Sequence, residues 1–168
     1  MNASEFARLM AGYNRWMNDR LYAVCAEVPK TDRERDLGAF FGSIHNTLDH
    51  LVWADDAILV RLQDSDRRVE RYQPPQIKDF DPLRERRAEV DDAISEWAAQ
   101  VRDGDVDQSY EFKSVLYNKT RTLPRYALAA HLFNHQTHHR GQVTALLSRL
   151  GYEFGVTDLP WTPGIDAA

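Results

Sequence analysis

The sequence contains a single cysteine, Cys25, among its 168 residues. One cysteine cannot form an internal disulfide, and so low a thiol content is typical of a reducing compartment. No apolar run approaches the roughly 18 residues that a membrane span needs. The opening segment MNASEFARLMAGYNRW also lacks the basic start and compact apolar stretch of a signal peptide. We therefore expect a cytoplasmic protein with no membrane partner.

An excess of positive charge is also lacking, because the formal net charge is −5 at pH 7. Nucleic-acid binding requires a basic surface for the phosphates, so we expect no nucleic-acid partner. The hydrophobic share of 43% and the charged share of 28% are those of an ordinary globular protein. This length suits one core, which predicts a single domain covering residues 1–168.

Four stretches carry apolar residues at three- and four-residue steps, the period of amphipathic helices. Capping residues, prolines and glycines indicate where each helix begins and ends. The predicted helices run from an N-cap at Ser4 to Pro29, from near Asp36 to about Gln63 with Phe40 on the inner face, from an N-cap at Asp81 before Pro82 to near Gly104, and from Pro124 to Gly151.

Residues 106–122 break this pattern, because aromatic and β-branched residues alternate loosely there. Such alternation predicts a short irregular hairpin or an extended crossover before the last helix. The tail after Gly151 is rich in glycine and proline and is expected to be non-helical. Four amphipathic helices with no other substantial element predict an all-α protein, packed as a four-helix bundle.

All six histidines fall in two short windows of the second and fourth predicted helices. They are His45 and His50 in the first window, and His131, His135, His138 and His139 in the second. Residues four apart lie on one face of a helix. The ladder formed by His131, His135 and His139 follows the apolar stripe of its helix, so we expect all three to point inward.

A cluster of buried imidazoles has two interpretations, a histidine-rich core and a metal site. Single inward histidines are usually core residues, whereas four within nine residues favour a metal, since neutral imidazole is a good ligand of zinc, nickel and related ions. A third ligand would come from the facing helix. His45 and His50 are turned about 140° from each other, and His50 has the small residues Ala54 and Ala57 beside it, so His45 is the weaker candidate.

Two known kinds of metal helix are excluded by the residues present. A zinc-protease helix needs glutamate after its first histidine, but Gln136 follows His135. A di-iron carboxylate bundle needs Glu-x-x-His motifs, and no glutamate here has a histidine three residues later. A single ion with three neutral ligands remains, which leaves open coordination positions as in catalytic sites.

The segments HLFNHQTHHRGQVTALL, GSIHNTLDHLVWADDAIL and YNRWMNDRLY resemble the DinB (YfiT-like) family of metal-dependent enzymes. The resemblance extends from about Tyr13 to the final DLPW. It implies a DinB/YfiT-like four-helix bundle, often a homodimer, that binds one divalent metal ion, commonly zinc or nickel. It places the metal ligands at His50, His135 and His139, and leaves open whether His45, His131 and His138 support the ligands or only pack.

The same resemblance implies an activity, a thiol S-transferase that uses a low-molecular-weight thiol against electrophilic small molecules. Metal-assisted hydrolysis, a non-enzymatic metal-binding stress protein and a metal-free interaction module are the alternatives. Arg140 is a candidate to bind a substrate carboxylate or an acidic group of the thiol cofactor; the alternative role is an ion pair with a neighbouring helix. Asp55 and Asp56 are expected on a solvated face, although Asp55 is also a candidate to brace a histidine. Cys25 is expected to pack as a small hydrophobe.

Overall fold

The computed structural model describes residues 2–105, 107–114 and 119–165. Most of this part is helical and a single hairpin precedes the last long helix, so the predicted all-α class is confirmed. The elements are α1 (Ala3–Glu27), α2 (Lys30–Glu34), α3 (Ile44–Leu62), α4 (Phe80–Gln100), β1 (Ser109–Ser114), β2 (Lys119–Pro124), α5 (Arg125–Arg149) and a 3-10 turn at Leu159–Trp161.

The four long helices form the bundle. α1 packs mainly against α4 and α3 mainly against α5, while α3 also contacts α4 and α1 also contacts α5. Their order around the bundle is therefore α1, α4, α3, α5, which makes α3 and α5 direct neighbours. The apolar faces meet in a core whose largest fully buried members include Leu21, Ile44, Leu48, Leu83, Ile94, Leu132 and Leu147.

Two helix starts differ from the prediction. Asn2, rather than Ser4, is the N-cap of α1: its side chain accepts from the Glu5 backbone N–H, and the Glu5 carboxylate accepts from the Asn2 N–H, both at 2.9 Å. This reciprocal pair satisfies two donors of the first turn. α4 likewise begins two residues earlier than predicted, with Asp79 as N-cap, and ends at Gln100.

The second predicted helix begins later than Asp36. The short helix α2 lies in the connection before it, and α3 starts only after the N-cap Ser43, whose hydroxyl accepts from the Asn46 N–H at 3.1 Å. Gly38 and Gly42 have φ of +79° and +78°, which a continuous right-handed helix cannot include. The resulting turn leaves Phe40 83% exposed, so its predicted inner position is wrong.

The segment before α5 is a hairpin rather than a crossover. β1 and β2 are antiparallel, with register Ser109↔Pro124 through Ser114↔Lys119. Residues 106 and 115–118, which fall in the predicted irregular segment, lie outside the described residues. Among the described helices, none is both long enough and apolar enough to cross a bilayer.

Candidate metal centre

Three histidines from two neighbouring helices meet inside the bundle. His50 lies on α3, and His135 and His139 lie one turn apart on α5. The Nε2 atom of His135 is 3.2 Å from that of His50 and 3.1 Å from that of His139. One nitrogen from each ring lies within 4.8 Å of the other two. The packing of α3 on α5 thus brings together the three histidines that the family resemblance gives as metal ligands.

The spacing of these nitrogens fits a metal ion. Two imidazoles that bind one ion at 2.0–2.1 Å in tetrahedral geometry have nitrogens about 3.3 Å apart. The two shorter separations in the cluster are close to that value. Ala54 and Ala57, the small residues expected near His50 on α3, are both buried.

Burial keeps the cluster in the form that binds metals. It lowers the pKa of His50 to about 3, with a further contribution from His139. It also lowers the pKa of His135 to about 3, and the four neighbouring histidines act in the same direction. The pKa of His139 is lowered by burial too, although its hydrogen bond to Gln142 opposes the change. All three imidazoles are therefore neutral at pH 7, with lone pairs available to an ion.

Aromatic rings cover one side of the cluster. The Phe41 ring stacks on His50 with centroids 4.0 Å apart, and its centroid is 5.5 Å from that of His139. Tyr72 meets the His50 ring edge-on at 5.0 Å and lies 5.3 Å from Trp53. These rings surround the imidazoles with apolar surface, which reduces the access of water on that side.

The loop that carries Tyr72 is fastened to α3 by Asp49. The buried Asp49 carboxylate accepts hydrogen bonds of 2.9 Å from the Tyr72 hydroxyl and from the backbone N–H groups of Gln76 and Ile77. His45 belongs to the same attachment, because its Nε2 donates to the Ile77 carbonyl at 2.8 Å. His45 thus supports the loop and is not part of the cluster.

The predicted inward position of His131 is wrong. Its side chain is exposed, although its ring centroid is 5.4 Å from that of His135. His138 is also exposed, and its Nε2 lies 3.3 Å from the side-chain nitrogen of Gln142. Gln142 in turn lies 2.8 Å from His139 Nδ1 through its oxygen. Gln142 thus lies between His138 and His139, a contact that the histidine spacing does not predict.

A buried polar ring that the sequence does not predict lies beside the cluster. Its members are Asp55 on α3, Arg87 and Asp91 on α4, Asn14 on α1, and Gln136 and Arg140 on α5, and each is at most 3% exposed. The predicted solvated position of Asp55 is therefore wrong. It does not contact a histidine either: its Oδ2 accepts from Arg87 at 2.7 Å and from the Gln136 amide.

The hydrogen bonds of this ring close on themselves and join the four long helices. Arg87 Nε donates to Asp91 at 3.1 Å, and the Asn14 amide donates to the same carboxylate at 3.1 Å. Arg140 donates to the side-chain oxygens of Asn14 and Gln136, and Gln136 donates to Asp55. The charges of its two arginines and two aspartates balance. We name all six residues together the Asp55–Arg140 ring.

Comparison with known proteins agrees with this architecture. The DinB family profile matches residues 1–166. The chain belongs to the DinB family. It is 24% identical over 164 residues to Protein DinB of Bacillus subtilis (strain 168), covering 92% of each chain. A DinB-like protein from Bacillus cereus ATCC 10987 has the same fold, with a TM-score of 0.65 at 19% identity, covering 84% of this chain and 91% of that one.

Two further candidate side chains of this DinB-family chain, Arg140 and Cys25, are buried. Arg140, the candidate for binding an acidic group, is buried among neutral hydrogen-bond partners and lies 5.2 Å from the Tyr13 ring centroid. Cys25 is fully buried, and burial raises the pKa of its thiol to about 12. The expectation that Cys25 packs as a small hydrophobe is confirmed.

Proposed function

We propose that this protein is a metal-dependent thiol S-transferase that acts on electrophilic small molecules. The observation that carries the proposal is the convergence of three neutral imidazole nitrogens, with two separations of 3.1 and 3.2 Å. His50, His135 and His139 would hold one divalent ion, with zinc and nickel both suited to these donors. Three neutral ligands leave coordination positions for another molecule.

Thiol chemistry suits the cluster better than hydrolysis. Hydrolysis at a metal generally uses a nearby general base, yet the two buried carboxylates of α3 are occupied. Asp49 accepts three hydrogen bonds that attach the loop, and Asp55 is paired with Arg87. An ion bound by the histidines would lower the pKa of an incoming thiol and stabilise its thiolate, so this chemistry does not need a nearby carboxylate as general base.

The thiol must come from outside the chain. Cys25, the one cysteine, is fully buried and its pKa of about 12 keeps it protonated. In the proposed transfer the added thiol releases its proton to solvent and its sulfur forms a bond to an electrophilic carbon. The bond from that carbon to its leaving group breaks, and the leaving group departs with the electron pair. Phe41, Trp53 and Tyr72 would shield the reacting sulfur from water on their side of the cluster.

Arg140 is retained as a proposed contact for an acidic group of the thiol. It borders a cleft of about 360 Å³ between α1, α5 and the tail, together with Tyr13 and Thr157. The Arg140→Lys variant should raise the KM for an acidic thiol and leave the bound metal unchanged, as measured by steady-state kinetics and elemental analysis. An equal change with an uncharged thiol would contradict this role.

The decisive experiment is elemental analysis of untagged protein that has never met a nickel column. We expect about one equivalent of zinc or nickel in the wild type and little in the His135→Ala/His139→Ala variant. His131→Ala is the matched control, because His131 lies on the same helix but is exposed. Thiol adducts of a model electrophile should then form in the wild type and the control, but not in the double variant.

The other outcomes separate the alternatives. One equivalent of metal without thiol turnover would favour a non-enzymatic metal-binding protein. Metal-free wild-type protein whose stability does not change on adding zinc or nickel would refute the metal site altogether. The homodimer implied by the family resemblance is likewise a proposal, and sedimentation analysis of the same samples tests it.

A further inference from the structure

The three histidines of the cluster differ in what holds their outer nitrogens. His139 Nδ1 lies 2.8 Å from Gln142 Oε1. The Nδ1 atoms of His50 and His135 are buried and have no hydrogen-bond partner among the described residues. Among the described residues, His139 is therefore the one ligand candidate whose Nδ1 is held by another side chain, that of Gln142.

The partner atom determines the tautomer of His139. An amide oxygen can only accept, so His139 Nδ1 must carry the proton and donate it. Its Nε2 is then left with a lone pair, and that atom is the one 3.1 Å from His135 Nε2. With the opposite tautomer, a proton on Nε2 would occupy the position that an ion needs.

An amide side chain can also turn over and present its NH2 group in place of its oxygen, which would select the wrong tautomer. Here the nitrogen of Gln142 lies 3.3 Å from His138 Nε2, where it donates to that ring's lone pair. His138 is exposed and lies one turn before Gln142 on α5. When His138 Nε2 carries no proton, this contact favours the amide orientation in which Gln142 Oε1 faces His139.

We propose that Gln142 and His138 are positioning residues that set the metal-binding tautomer of His139 through the hydrogen-bond chain His138–Gln142–His139. The inference rests on the proposed metal site, but its first consequence concerns the metal-free protein. Similar outer hydrogen bonds to metal-binding histidines change affinity by about 10- to 100-fold. His138 thus acts on the cluster without touching an ion.

The first test is the tautomer of His139 in metal-free protein, read from ¹⁵N chemical shifts of the histidine side chains. Wild type should show His139 protonated at Nδ1, and Gln142→Leu should show a mixture of tautomers. Gln142→Glu retains an acceptor and should keep the wild-type form. An unchanged tautomer in Gln142→Leu would overturn the proposal.

The second test is affinity for Zn²⁺ by chelator competition and the absorption spectrum of the Co²⁺ form. Gln142→Leu should weaken binding about 10- to 100-fold, and Gln142→Glu should restore it. Gln100→Leu, the same change at an exposed position of α4, should have no effect. Wild-type affinity in Gln142→Leu would refute the role of the chain.

A double-mutant comparison isolates the part played by His138. His138→Ala should weaken binding less than Gln142→Leu, and the two changes together should equal Gln142→Leu alone, because His138 acts only through the amide. Additive losses would show that His138 acts independently and would overturn this part. A tautomer change in a protein that binds no metal would uphold the hydrogen-bond chain and refute the proposed function, so the two failures are distinguishable.

Discussion

Replacing Arg87 with methionine should destabilise the protein by about 3–5 kcal/mol at pH 7, the cost of removing one partner from a buried ion pair. Arg87 lies between two carboxylates that are themselves buried, Asp55 at 2.7 Å and Asp91 at 3.0 Å. Methionine fills a similar volume, so the loss comes chiefly from the charge and its hydrogen bonds. Among the described residues, Asp91 retains donors from Asn14 and Asn18, whereas Asp55 retains the Gln136 amide alone.

The pH dependence follows from Asp55. Burial already raises the pKa of this carboxyl to about 6, and Arg87 holds it down from a higher value. Without Arg87 the folded-state pKa rises further above the unfolded value of about 3.9. A raised pKa contributes stability that is complete below the unfolded pKa and is lost as pH rises through the folded pKa. The deficit of Arg87→Met relative to wild type should therefore shrink between pH 7 and pH 5.

Arg86→Met is the matched control for this experiment. Arg86 is the preceding residue on α4, and its side chain is 39% exposed where it pairs with Asp56 and Glu89. Exposed pairs contribute at most about 1 kcal/mol. Free energies of unfolding from urea titrations at pH 7 and pH 5 would measure both variants, with Arg87→Lys available if Arg87→Met does not fold. Equal costs for the two methionine variants, or a deficit that grows at pH 5, would refute the account of a buried ring.

Two further predictions concern protonation and capping. Burial lowers the pKa of His50 and His135 to about 3, below the unfolded value of about 6.5, so metal-free protein should lose stability as pH falls below 6.5, by about 2 kcal/mol per ring after allowance for partial exposure. The loss between pH 6.5 and pH 4 should be smaller in His135→Ala, and equal losses in urea titrations of the two proteins would contradict this cause. Asn2→Ala should destabilise the protein by about 1 kcal/mol, since it removes the N-cap of α1, whereas Ser4→Ala should cost much less. If thermal unfolding shows a larger loss of stability for Ser4→Ala than for Asn2→Ala, the assignment of Asn2 as the N-cap is wrong.

Much of the fold could be predicted because helical periodicity is local. The four long helices and the start of α5 after Pro124 each follow from residues close together in sequence, whereas the loose alternation before α5 left a hairpin and a crossover both open. The start of α3 could not be found in this way. Asp36 and Ser43 are both plausible N-caps, and the choice depends on the glycine turn at Gly38 and Gly42, which the sequence analysis overlooked.

For the candidate site, too, the sequence predicts what depends on local helical spacing and not what depends on packing between helices. The i, i+4 spacing of His135 and His139 places both on one face whatever surrounds the helix. It gave His131 the same direction, yet His131 is exposed, because the period of a helix fixes the direction of a side chain and not what packs over it. Gln136 illustrates the opposite case: in sequence it only excluded a zinc protease, and in the structure it joins Asp55 to Arg140.

The sequence by itself determined the helical class, the family resemblance and the pair of histidines on the last helix, since each depends on neighbouring residues or a short motif. The resemblance had named His50 as their partner, but only the tertiary structure decided how closely His50 approaches that pair, that His45 instead supports a loop, and that Asp55 is buried against Arg87. These contacts join residues 32 to 89 positions apart. Nothing local fixes such distances, because they depend on how α3, α4 and α5 dock on one another.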